Sequence, residues 1–295
     1  MTMKPENTPP ESAGTQTTMK ADKSDGNSKT PHITVRNLTM GYGDTILMRD
    51  LDFTVYRGDV FAIMGGSGCG KSTLMRILIG LKAPHTGTVS YADVDFWSLS
   101  ESQRDGMMRR FGVLYQSGAM WSSKTLAENI SLPMELHTEL SKNQIRDLVA
   151  FKLALVGLAG FEAYYPSEIS GGMRKRASLA RAMALDPEVL FFDEPSAGLD
   201  PVSAKNLDDL ILEINQSLDA TVLIVTHELP SIFAIASNAV FLDTATGTSA
   251  ATGDPQTMLE TTENPDVIRF LTRGRRDSAR PEASDGNRQR NRQDA

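Results

Sequence analysis

The stretch "GGSGCGKST", Gly65 to Thr73, leaves this chain few ways to fold. It fits the pattern G-x-x-x-x-G-K-[ST], with Gly65, Gly70, Lys71 and Ser72 at the fixed positions. Gly65, Gly66, Gly68 and Gly70, with Ser67 and Cys69 between them, let successive backbone N–H groups turn inward around a polyphosphate. Such a loop belongs between a strand and a helix, because the helix adds its positive N-terminal end to the anion site. Both neighbours fit: "DVFAIMG" reads as a short buried strand, and "STLMRILIGL" has helical spacing. Lys71 is expected to reach the β- and γ-phosphates, and the Ser72 hydroxyl, followed by Thr73, to ligate Mg²⁺.

The rest of residues 31–272 alternates in the same way. "ITVRNLTM" and "LDFTVY" alternate like strands, while "EVLFF" and "TVLIVTH" are unbroken apolar runs of the kind found in parallel strands covered on both faces. "VSAKNLDDLILEINQSL" between those runs is an amphipathic helix. Strand, helix, strand predicts an α/β fold with a mostly parallel sheet. "SKTLAENISLPMEL" and "SKNQIRDLVAFKLALVGL" predict two further helices.

Charge and cysteine content narrow the function. The net charge of −7 does not favour nucleic acid as a partner. One cysteine, Cys69, excludes an internal disulfide and fits a reducing cytosol. Its place by a helix N-terminus and Lys71 favours the thiolate, and it reads equally as a small residue that serves through its backbone N–H. No apolar run approaches 18 residues, so no membrane span is expected, and the N-terminus lacks a hydrophobic signal core. Residues 1–30 have almost nothing to bury and are expected to be disordered. The tail from 273 to 295 carries seven Arg against four acids, a net of +3. It reads as a solvated tail, or as a contact for anionic headgroups or an acidic partner.

Two adjacent carboxylates, Asp193 and Glu194, close the run "VLFF". An Asp at the end of a buried strand beside a phosphate loop can hold Mg²⁺, and the Glu after it can polarise an attacking water. His227 closes "TVLIVTH" in the same manner and reads as a γ-phosphate contact. Upstream, Ser170, Gly171 and Gly172 open a helix with a capping serine and free N–H groups, the parts of a second phosphate site. That helix, read as about Gly171 to Leu185, spans roughly 22 Å and carries its start away from the chain's own phosphate loop. The economical expectation is a head-to-tail dimer, each nucleotide lying between one chain's loop and the other chain's Ser170–Gly172; the alternative is simply a capped helix.

The order of these pieces resembles that of ATP-binding cassette (ABC) ATPases over roughly residues 32–272. The resemblance implies a nucleotide-hydrolysing cassette, 31–272, with a parallel core, an antiparallel β portion and an inserted helical subdomain at about 118–170. It implies that Tyr42 stacks on adenine and that Gln116 senses Mg²⁺ and a membrane partner, so that ATP and Mg²⁺ are the cofactors. It also implies an integral membrane permease, with Met120 and Trp121 as exposed apolar contacts in the groove that receives it; Trp121 could equally be core. Met173 departs from the family's usual glutamine. "SGGM", "YQSGAMWSS" and "NPDVIRFLTRG" resemble the ATPases of lipid transporters that work with MCE-domain proteins, the Mla type. That branch implies a homodimer on the cytoplasmic face of the inner membrane, moving phospholipid with an MCE-domain protein and a small accessory protein. "YPSEISGG" also resembles small-solute importer ATPases, so an importer motor stays open. A non-transport cassette for repair or translation would carry a coiled-coil insertion or a second cassette, and this chain has neither. The apolar Val267, Ile268, Phe270 and Leu271 are expected to pack across the dimer, either on the partner ATPase or on a small accessory protein.

Overall fold

The computed structural model describes residues 29–273. The disorder expected for residues 1–30 and for the tail falls outside them, apart from Lys29, Thr30 and Arg273.

Two long strands, β1 (Pro31–Tyr42) and β2 (Thr45–Tyr56), pair antiparallel, and β3 (Val60–Gly65) then enters a different sheet. The phosphate loop joins β3 to α1 (Lys71–Leu78). β4 (Thr86–Tyr91) and the two-residue β5 (Val94–Asp95) return to the first sheet, whose order is β2-β1-β4-β5. After α2 (Glu101–Met108) comes β6 (Phe111–Leu114), then α3 (Leu126–His137), α4 (Lys142–Leu155) and α5 (Gly171–Ala182). β7 (Val189–Asp193), α6 (Pro201–Leu218), β8 (Thr221–Val225), α7 (Leu229–Ile235), β9 (Asn238–Asp243), β10 (Thr248–Gly253), α8 (Pro255–Thr261) and α9 (Pro265–Thr272) follow. The second sheet runs β10-β9-β3-β8-β7-β6, parallel except for the edge strand β10.

The unbroken apolar runs are the strands covered on both faces. Alternate side chains of β3 go to opposite cores: Phe61 and Ile63 pack with α1 and the antiparallel sheet, Ala62 and Met64 with α7, α8 and α9. A third cluster joins Leu190, Phe192, Val222 and Ile224 to α3, α4, α5 and α6. The predicted mostly parallel α/β core, with its antiparallel portion and inserted helices, is the observed fold. The two inserted helices each start on a capping box, Thr125 with Glu128 and Ser141 with Gln144.

Two expectations need correction. α5 has 12 residues and ends at Ala182, not near Leu185. Asp186 takes a left-handed φ of 49° and Pro187 follows, so the helix cannot run on. Its length is therefore about 18 Å. Two of the four apolar residues of α9 are not left for another chain: Val267 and Leu271 are buried against β3, β9, α7 and α8, while Ile268 and Phe270 are half-buried and Phe270 meets Phe241 edge-on at 5.3 Å. Truncation before Asn264 would uncover Ala62 and Met64 on the strand that carries the phosphate loop, so it would not spare that fold.

Candidate active site

β3, β8, β7 and β6 lie side by side and parallel, so their carboxyl ends share one edge of the sheet. That edge is where open α/β sheets bind ligands. It gathers Gly65–Thr73 after β3, His227 after β8, Asp193 and Glu194 at the end of β7, and Gln116 after β6.

The loop glycines are required by geometry. Gly65 has φ 144°, and a Cβ there would lie 2.5 Å from the Leu242 carbonyl oxygen. Gly70, the residue before α1, has φ 98°. α1 starts with no side-chain cap, leaving its first N–H groups to the loop's interior. Lys71 Nζ folds over the loop and donates to the Gly65 and Gly66 carbonyls, 2.9 Å each. Ser72 is exposed and Thr73 buried, its hydroxyl 3.3 Å from the Tyr42 hydroxyl. Tyr42 is half exposed at the β1–β2 turn; Arg76 donates to its hydroxyl at 3.1 Å, and Lys82 Nζ sits 4.6 Å from its ring centroid.

Cys69 is corrected. Its side chain is buried and faces Gly65, and burial pushes the thiol up, with Lys71 opposing. The helix end and the lysine do not outweigh loss of water, so the thiolate is disfavoured.

Glu194 is held in an unusual way. Its φ is 49°, and its N–H donates to the Val225 carbonyl at 2.8 Å, tying the end of β7 to β8. Its Oε1 lies 2.7 Å from His227 Nδ1, and Oε2 is buried without a hydrogen-bond partner among the described residues. Burial raises the Asp193 carboxyl, and the adjacent Glu194 charge adds to it. Two half-buried carboxylates in sequence, one with an unpaired oxygen, call for a cation and a water. Ser72 and Asp193 offer the hard oxygens that Mg²⁺ takes, and Gln116 is exposed on the neighbouring loop.

Ser170 caps α5, accepting from the Met173 N–H at 3.2 Å. Gly171 and Ser170 are exposed, while the Met173 side chain packs into the helical core and leaves the helix start open. Ser170–Gly172 open α5, the helix whose far end leads into β7. Trp121 is 55% exposed, so the alternative of a core Trp121 is excluded, but Met120 is partly buried against the helical core and is not the exposed contact expected of it. Sequence reasoning missed Lys175, a buried lysine bonded to the carbonyls of Gln116 and Glu194. A lone lysine one turn into a helix gives no sequence signal for that contact.

Residues 48–197 match the ABC transporter family. The chain is 41% identical over 244 residues to the "Probable ribonucleotide transport ATP-binding protein mkl" of Mycobacterium tuberculosis, covering 83% of this chain and 67% of that protein. It is 38% identical over 239 residues to the "Intermembrane phospholipid transport system ATP-binding protein MlaF" of Haemophilus influenzae, covering 81% and 89%. The MlaF of Escherichia coli K12 is 36% identical, with 81% and 88% covered. Among solved structures, cbiO1 from Clostridium perfringens, part of the ABC transporter complex cbiONQ, superposes with a TM-score of 0.73 at 25% identity, covering 83% of this chain and 95% of that one. A dimeric bacterial ABC transporter cassette gives 0.68 at 25%, covering 75% and 98%.

Proposed function

We propose, for a chain that belongs to the ABC transporter family, that it is the motor of a system moving phospholipid between the inner and outer membranes of a diderm envelope. The chain is an ATP-hydrolysing subunit of that family, whose cassettes dimerise and pair with membrane permeases. No described helix is long and apolar enough to cross a membrane. We place it on the cytoplasmic face of the inner membrane, with an MCE-domain protein and a small accessory protein as further partners. One observation carries the lipid branch: the similarity to the two MlaF proteins runs over 88–89% of their length.

In this reading the loop N–H groups and Lys71 bind the ATP phosphates, and Tyr42 supports the base. Ser72, Asp193 and Gln116 would hold Mg²⁺, which when bound neutralises charge on the phosphate oxygens. Glu194 orients and deprotonates the attacking water. His227 is bonded to Glu194 through Nδ1, and its Nε2, which lies 3.6 Å from Glu228 Oε1, would turn to the γ-phosphate. Ser170, Gly171 and Gly172 of a second copy complete each site.

A second reading, a small-solute importer, is favoured by the 41% identity to a protein named for ribonucleotide transport. Deletion of the gene separates the two. The lipid reading expects sensitivity to detergents and bile salts, restored by the wild-type gene and not by Lys71→Ala. An intact outer-membrane barrier with a defect in uptake of one solute would overturn it in favour of the importer.

A further inference from the structure

Lys175 lies outside the phosphate loop, yet its ammonium is taken out of water: the residue is 8% exposed. Burying an ammonium costs free energy unless its N–H groups are used. Here they go to main-chain oxygens of two different loops. Nζ donates to the Gln116 carbonyl, in the loop after β6, and to the Glu194 carbonyl at 3.4 Å, in the turn after β7. Burial lowers the pKa of this lysine, and the charges of Glu194 and Asp193 raise it again.

The rest of the same helix face explains the first contact. Lys175, Ser178 and Arg181 recur every three residues, so they lie along one side of α5. A Cβ on Gly118, whose φ is 80°, would come 2.6 Å from Ser178 Oγ, and Arg181 donates to the Ala119 carbonyl at 2.6 Å. Residues 116–119 are thus laid against α5 over two turns. The second contact matters because of what it holds. Glu194 sits in a left-handed conformation sparsely used by residues with a side chain, and its N–H is fixed by Val225. Such a conformation persists only where the surroundings over-determine it. On the carbonyl side the restraint is shared by the Ala197 N–H, which donates at 3.2 Å, and Lys175 Nζ at 3.4 Å.

We propose that Lys175 is a positioning residue for hydrolysis: it clamps the Gln116 loop to the Glu194 turn and so aims the Glu194 carboxylate, which rests on Glu194 acting as the base. Because Lys175 rides on the helix that begins at Ser170, movement of the inserted helical region is passed to that carboxylate through one side chain.

The test is steady-state ATPase kinetics on the purified full chain, with nucleotide affinity and melting temperature measured in parallel. Lys175→Met keeps the length and removes the donors; Lys175→Gln keeps two N–H donors. Lys175→Met is expected to lower kcat about tenfold, with KM and ATP affinity within about twofold of wild type. Lys175→Gln is expected to recover most of that loss. In a Glu194→Gln background Lys175→Met should cost nothing further, because the two act through one group. Wild-type kcat in Lys175→Met, a loss carried by KM, or an additive loss in the double variant overturns the proposal. If Lys175→Met does not fold, Lys175→Gln decides: a folded, ATP-binding glutamine variant slowed about tenfold overturns it, and near-wild-type turnover supports it. The base assignment itself is read separately, from Glu194→Gln alone.

Discussion

Replacing Glu194 by glutamine is expected to cut ATP turnover by about 100-fold or more while leaving ATP bound, as loss of a positioned general base does. The change is nearly isosteric, so the φ of 49° and the N–H bond to Val225 are kept. What goes is the charge. Glu194 Oε1 faces His227 Nδ1, and Oε2 is buried with no partner among the described residues. A neutral amide in that place can orient a water but cannot take its proton. The variant should therefore collect as an ATP-bound dimer, seen by size-exclusion chromatography with Mg²⁺ and ATP, because closure no longer ends in hydrolysis. Near-normal turnover would remove Glu194 from the base role.

Lys71→Ala acts one step earlier. Lys71 Nζ already lies inside the loop, 2.9 Å from both the Gly65 and Gly66 carbonyls, so the cation that would meet the phosphates is preplaced. A hydrogen bond to a charged group contributes about 1.5–3 kcal/mol, so its removal is expected to weaken ATP binding by about 10- to 100-fold. Titration with a fluorescent ATP analogue measures this directly, and an unchanged Kd would exclude the lysine from phosphate binding. The two variants should separate cleanly: Glu194→Gln binds ATP but turns it over slowly, and Lys71→Ala binds it weakly.

Much of the site was legible because its chemistry is local. The spacing from Gly65 to Ser72 forces a strand, a loop and a helix, and the apolar runs before Asp193 and His227 put those residues at strand ends. Strand order was not legible. Nothing in "TVLIV" or "VLFF" says that β8 lies between β3 and β7, and this order is what brings His227 to Glu194. Readings that depended on tertiary burial failed. Cys69 has the sequence neighbours of a thiolate, but it faces Gly65 in the core, and desolvation wins. The apolar face of α9 has the pattern of an interface, but the back of β3 needed a cover. The contact of Lys175 was invisible for the same reason, since both of its acceptors are main-chain atoms 59 and 19 residues away.

Whether each nucleotide site is shared between two chains is decided by mixing two inactive variants. Ser170→Arg blocks the start of α5, and Lys71→Ala disables the phosphate loop. The loss of the Ser170 cap costs about 1 kcal/mol of helix stability, so melting temperatures are checked first. Either variant alone has both sites spoiled. In a mixed dimer with sites formed between chains, one site receives both defects and the other receives neither. ATPase activity is therefore expected to reappear on mixing, as far as mixed dimers form. If mixed dimers form and activity stays at the level of the separate variants, Ser170 does not serve the nucleotide of the partner chain, and the head-to-tail arrangement is contradicted.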